Sequence, residues 1–259
     1  MSTLQLLAIG SCVAIALFTL TWILSTALRN YGFLDVVWSL SIGILALVFC
    51  VLGGGDVTRR WLFAAAGCAW SFRLGLYILI RVCRHHPSED RRYQTLRARW
   101  PGPVRFLLFF ELQAIIALLF ALPFLLAAQN RRADLGSWEV VGLVLAVGCA
   151  GGEALADLQA QRAKRNKSHR NGIVNTGLWR WSRHPNYFFE FLVWVGFCIA
   201  ALPAPYGWST IICPAMMLYF LLCVTGIPLS EKHSLESRGD AYREYQRTTS
   251  PFIPWPPRS

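Results

Sequence analysis

The segment Asn175–Glu190 reads NTGLWRWSRHPNYFFE and carries the densest chemistry in the chain. Arg180 and Arg183 offer guanidinium donors, His184 an imidazole, Asn186 an amide, Tyr187 a phenol and Glu190 a carboxylate. Cations, an amide and aromatic faces together suit a ligand that bears phosphates and rings. Asn186 and Glu190 stand four residues apart, so they share one helical face at the head of an apolar run. Ionisable groups set into a membrane span are costly and mark sites. A basic loop that merely obeys membrane topology would account for the arginines, but not for Asn186 and Glu190.

Two further groups belong with this one. Glu153, Asp157, Gln161 and Lys164 recur at helical spacing and share a face. Arg165, Asn166, Lys167, His169 and Arg170 follow directly. Carboxylates below and cations above could grip the hydroxyls and phosphates of a nucleotide; a solvated helix end with ordinary ion pairs is the plainer alternative. The third group is the tail, where Glu231 to Tyr245 reads as an amphipathic helix interrupted at Gly239, with Tyr242 and Tyr245 on one face. It could be a helix on the membrane surface or a lid that brings aromatic residues over a ligand.

The elements that must position these groups are membrane spans. The chain has 259 residues, 55% hydrophobic and only 15% charged, and its apolar residues come in long blocks. The pattern predicts an all-α polytopic membrane protein with seven transmembrane helices, at roughly 2–28, 34–53, 60–82, 104–128, 138–160, 187–206 and 208–230. The first is too long an apolar run, without a basic leader region, to be a signal peptide. With the C-terminus in the cytoplasm, 20 of the 25 Lys and Arg residues fall on the cytoplasmic side. The N-terminus is then outside. The short basic loops account for the net charge of +11, so no nucleic-acid partner is expected. Eight cysteines lie almost wholly in apolar blocks without a CxxC pair and read as small buried hydrophobes. No metal site is expected: Pro87 interrupts the helix that would have to align His85, His86, Glu89 and Asp90. GxGxxG after a strand, a Walker loop, GxSxG and HExxH are all missing, so a nucleotide would have to sit among helices.

These motifs give the chain a resemblance to the steroid 5α-reductase superfamily, in its bacterial 3-oxo-5α-steroid 4-dehydrogenase-like (DUF1295) branch. The resemblance rests on GLWRxSRHPNYxxE at 177–190 and on the tail pattern of Glu231, Gly239, Tyr242, Tyr245, Phe252, Ile253 and Pro254. LDVVWS at 34–39, WSFRL at 70–74 and EDRRY at 89–93 extend it over most of the chain. It implies a single integral-membrane domain over 1–259, with substrate-side spans in 1–130 and a cofactor-binding part in 138–259. It implies NADPH in a cavity open to the cytoplasm, in a bacterial inner membrane or, in a eukaryote, the endoplasmic reticulum. Asn186, Glu190, Asp157 and Arg73 match cofactor-binding positions of the family, and Lys164 falls near a cofactor-gripping Arg. Glu153 replaces an Asn. Arg183, His184, Tyr187, Glu231, His233, Tyr242 and Tyr245 complete the expected cofactor set. Asp35 and Trp70 fall where the family has a catalytic Glu and Tyr, and Tyr77, on about the same face as Trp70, is the substitute proton donor.

The expected reaction is NADPH-dependent reduction of the C=C bond of an α,β-unsaturated ketone, with a 3-oxo-Δ4 steroid as the leading substrate. The substrate would be lipophilic and enter from the lipid bilayer into a protein expected to work as a monomer. Related superfamily members keep two alternatives open: an S-adenosylmethionine-dependent isoprenylcysteine carboxyl methyltransferase-like enzyme and a sterol Δ14-reductase-like enzyme. Basic residues at 164, 165, 167 and 170 favour NADPH, because its 2′-phosphate needs cations.

Overall fold

The computed structural model describes residues 1–100, 102–166 and 173–258, without the side chains of 164–166. Every regular element among the described residues is helical. The chain forms two compact units: Met1–Val140 with Ala200–Thr210, and Val141–Ile199 with Ile211–Ser259.

The first unit is built on α1 (Thr3–Ala27), α2 (Phe33–Leu52), α3 (Val57–His85), α4 (Arg91–Arg99), α5 (Pro103–Phe120) and α6 (Leu122–Gln129). Its heart is the α2–α3 pair, which small residues allow to approach closely. A Cβ on Gly43 of α2 would stand 2.7 Å from Ser71 Oγ of α3, and one on Gly67 of α3 3.4 Å from Ala46 Cβ of α2. Ser71 fastens the pair, accepting from the Gly43 amide at 2.9 Å and donating to the Ser39 carbonyl at 2.5 Å. Tyr31 stacks on Phe106 of α5 with ring centroids 3.8 Å apart. The segment 104–128, expected as one span, is two helices parted at Ala121; Pro123, which has no amide hydrogen to donate, stands in the first turn of the second.

A fully buried guanidinium organises one end of this unit. Arg59 pairs with Glu139 and donates to the carbonyls of Asn130, Arg132 and Asp134. Nothing in the spacing of these residues announces that arrangement, since three of the acceptors are backbone oxygens. At the other end α4 is docked through side chains. Arg92 and Tyr93 both donate to Asp35 at 2.7 Å, and Arg97 bonds Glu89 at 2.8 Å.

The second unit holds most of α7 (Ser137–Asn166), a 3₁₀ turn at Gly177–Arg180, α8 (Pro185–Ala201), α9 (Ile212–Tyr219), α10 (Ile227–Arg238) and α11 (Asp240–Thr248). A π-helical turn, Phe220–Val224, follows α9. The expected tail helix is present, divided at Gly239 where φ is +54°.

Six helical runs among the described residues are long and apolar enough to cross a bilayer: those beginning at Thr3, Phe33, Val57, Pro103, Ser137 and Gly207. They mark the chain as a helical membrane protein. The span expected at 187–206 is the difference. Its helix has 17 residues, about 25 Å at ~1.5 Å per residue, against a hydrocarbon core of ~30 Å. It stops at Ala201 because Pro203 and Pro205 follow, and neither can continue a helical ladder.

Candidate functional site

The segment singled out by its chemistry is held in place from α7 and from the tail within the second unit. From α7, Gln159 Oε1 accepts the Leu178 amide at 2.9 Å, and the Ala156 carbonyl accepts from the Trp179 indole at 2.9 Å. Gly177 has φ +61°, so the backbone favours glycine, and a Cβ there, 2.6 Å from Gln159 Oε1, would push that side chain off the Leu178 amide. From the tail, the Phe252 carbonyl accepts from Ser182 Oγ at 2.8 Å and the Ser250 carbonyl accepts the Arg183 amide at 2.8 Å. Ser182 Oγ also accepts the His184 amide at 3.1 Å, just before Pro185 opens α8.

At the centre stands Glu231 of α10. It accepts from Arg183 Nε at 2.6 Å and Gln246 Nε2 at 2.6 Å, with His184 Nε2 at 3.3 Å. Arg183 Nη1 donates to the carbonyls of Gln246 at 3.0 Å and Thr249 at 2.6 Å. The His184 ring lies parallel to Tyr187, centroids 5.3 Å apart. One carboxylate and one guanidinium therefore join α8, α10 and α11. Tyr245 hydrogen-bonds the Trp179 carbonyl and packs with Tyr242 and Ile173. Burial pushes the Tyr245 phenol well above its ordinary range; Tyr242 beside it adds to the rise and Arg183 opposes it. Burial likewise raises Tyr242, with Glu231 adding to the rise.

The second cluster lies where α7 and α8 meet. Glu153 and Asp157 are 2% and 7% exposed. The Asn186 amide nitrogen donates to Asp157 Oδ1 at a long 3.4 Å, and Glu190 lies half-buried one turn further along α8. Asn186 Oδ1 is buried without a hydrogen-bond partner among the described residues. An amide oxygen left so is costly unless a donor reaches it. Ribose hydroxyls and amide or amino groups are such donors, so these residues fit the sugar or amide portion of a nucleoside cofactor.

The expected residues thus divide. Arg183, His184 and Glu231 form one network; Asn186 and Asp157 form another; Tyr242 and Tyr245 pack inward as a core. His233 stands aside, 3.7 Å from Glu236. The side chain of Lys164 lies outside those described, and residues 167–172 outside the described residues. Asp35, Trp70, Arg73 and Tyr77 belong to the first unit. Trp70 is buried, whereas Arg73 and Tyr77 are half-buried on α3. Asp35 does not cap α2, whose cap position is Gly32; its two oxygens accept from Arg92 and Tyr93. Sequence reasoning missed Gln246 and Gln159, and carried Trp179 only within its motif. It quoted Arg92 and Tyr93 only as part of a motif.

The chain belongs to the DUF1295 family, described as a protein family of unknown function, whose model it matches over residues 21–249. That family falls in a superfamily of membrane methyltransferase-like and steroid-reductase-like proteins. An uncharacterised protein of Schizosaccharomyces pombe is 26% identical over 281 aligned positions, covering 95% of this chain and 79% of that protein. A methanethiol S-methyltransferase of Mycobacterium tuberculosis is 34% identical over 86 residues, covering 31% of this chain and 30% of that enzyme. No solved structure matches.

Proposed function

We propose that this protein is a membrane-embedded reductase that uses NADPH to saturate the C=C bond of a lipophilic α,β-unsaturated ketone, with 3-oxo-Δ4 steroids as the leading substrates. The observation that carries it is the acceptor cluster of Asn186, Asp157 and Glu153, with Asn186 Oδ1 buried and unsatisfied among the described residues. Asn186 and Asp157 would hold the amide and ribose of the cofactor. The basic run at 164, 165, 167 and 170, next in sequence after that face of α7, supports a phosphate-bearing ligand. NADPH would supply the hydride. The protein would bind, orient and exclude water, and stabilise negative charge on the ketone oxygen with buried donors.

A second reading, an S-adenosylmethionine-dependent methyltransferase, has its own support. The relative in M. tuberculosis carries a methyltransferase name. Arg183, expected among the cofactor-binding residues, already spends Nε and Nη1 on Glu231 and on tail carbonyls. Asp35, expected to polarise the ketone, already accepts two donors. Thermal stabilisation of the purified protein by each cofactor decides between the readings. NADPH alone should raise the melting temperature, and Asn186→Ala should weaken that effect with the fold intact. Stabilisation by S-adenosylmethionine alone would replace the reductase with the methyltransferase.

A further inference from the structure

Residues 250–258 form a strap held by backbone hydrogen bonds. The Arg183 amide donates to the Ser250 carbonyl at 2.8 Å, the Trp255 amide to the Trp181 carbonyl at 2.9 Å, and the Arg258 amide to the Thr248 carbonyl at 2.8 Å. Four prolines, at 251, 254, 256 and 257, keep this strap out of regular structure, and backbone bonds to 181–183 and 248 fix its course. Beneath it lies a cavity of ≈ 220 Å³. At ~30 Å³ per water, that volume would hold about seven waters, ample for a phosphate group and part of its carrier.

The lining is one-sided in charge. Arg183, Arg247 and Arg258 contribute to it, and Asp and Glu do not. Thr248, Thr249 and Ser250 add hydroxyls. Arg183 is 8% exposed, and among the described residues its Nη2 carries no hydrogen bond, while Nε and Nη1 are in use. Arg247 pairs with Glu244 at 3.3 Å, but it is 79% exposed, so that pair binds it loosely. Guanidinium forks beside hydroxyls are the donor set that tetrahedral oxyanions take up. Ile253 and Trp255, 59% and 65% exposed, stand on the same strap. An exposed Trp beside cations is the residue pattern of a membrane–water interface.

We infer that this cavity is a binding site for a phosphate-bearing group, separate from the Asn186–Asp157 cluster and independent of the reductase reading. The group could be the headgroup of an anionic phospholipid or a soluble phosphomonoester. The full-length protein in nanodiscs of phosphatidylglycerol or of phosphatidylcholine, and in detergent with glycerol 3-phosphate or inorganic phosphate, separates these sources. Native mass spectrometry would count retained lipid, and thermal shift would read the soluble anions. Retained phosphatidylglycerol, lost about tenfold in Arg247→Ala/Arg258→Ala as expected for one charge-assisted hydrogen bond, supports the site with a lipid occupant. A saturable shift with the soluble anions, lost in the same variant, supports it with a metabolite. Arg247→Lys/Arg258→Lys, which keeps the charge, should retain part of the binding and shows that the strap remains folded. If neither anion nor lipid responds to the double alanine variant, there is no such site. If that variant weakens NADPH or S-adenosylmethionine as much as it weakens phosphate, the cavity is part of the cofactor site and the inference of a separate one fails.

Discussion

Glu231→Ala offers the sharpest test of how the polar segment before α8 is held to the tail. The substitution removes the acceptor of Arg183 Nε, Gln246 Nε2 and His184 Nε2 at one stroke. It leaves a guanidinium only 8% exposed with two backbone carbonyls and no counter-charge. Breaking a buried pair from one side costs about 3–5 kcal/mol. Glu231 is itself 15% exposed, so the lower end, about 3 kcal/mol, is expected here. Arg183→Ala should cost a similar amount, because it strands Glu231 and frees two tail carbonyls. The double variant should cost less than the sum by about 1.5–3 kcal/mol, the range for hydrogen bonds to a charged group. Reversible unfolding in mixed micelles, followed by tryptophan fluorescence, measures all three. Limited proteolysis in the tail, at Arg243 and Arg247, reports whether α11 has come away. A coupling below about 0.5 kcal/mol, the level of additivity between independent sites, would refute the claim that this pair joins α8 to the tail.

Other outcomes follow from the same geometry. Tyr245→Phe should destabilise by about 1 kcal/mol through the lost bond to the Trp179 carbonyl. It should also remove part of the alkaline lability: a phenol raised by burial adds stability that is whole below ~10 and lost as pH climbs toward its folded value, so melting temperature against pH above 9 reads it. Asp35→Asn should loosen α4, because Arg92 and Tyr93 both depend on that carboxylate, and hydrogen exchange over Arg91–Arg99 should quicken; unchanged exchange with lower turnover would point instead to direct catalysis. Arg59→Ala should cost about 3–5 kcal/mol, measured by unfolding, whereas Arg59→Met/Glu139→Leu should recover much of it, because no buried charge is then left alone.

Helical class, the apolar blocks, the break at Gly239 and the shared face of Tyr242 and Tyr245 were legible because each depends on local periodicity or on one residue's backbone freedom; that this face packs inward on Ile173 was not. Family membership was legible from the motifs at 177–190 and in the tail. The length of α8 was misjudged because hydropathy continues past Ala201 while Pro203 and Pro205 end the helix. The Arg59 and Arg183 networks were not legible. Most of their acceptors are backbone carbonyls, which every residue supplies and no spacing announces. Asp35 gave the opposite difficulty: its position matches a catalytic Glu of the resembling family, and only the approach of α4 reveals its partners.

In the second unit, groups already met by protein partners read as scaffold, whereas a buried acceptor without one is open to a ligand. Arg183 and Glu231 look, from sequence, like ligand contacts, yet each is met by protein partners that tie α8, α10 and α11 together. Groups so engaged can shape a cavity, but a ligand that claimed their bonds would have to break existing ones, at about 1.5–3 kcal/mol for each bond to a charge. Asn186 Oδ1 stands differently. It is buried, on a side chain whose amide nitrogen donates to Asp157, and lacks a partner among the described residues, so a donor that arrives there gains a bond without displacing one. Ligand contact should therefore concentrate on the α7–α8 face, with the Arg183–Glu231 pair as the brace that keeps that face in register. Substitutions at the brace should lower stability first and cofactor affinity only in proportion, whereas Asn186 substitutions should lower affinity first.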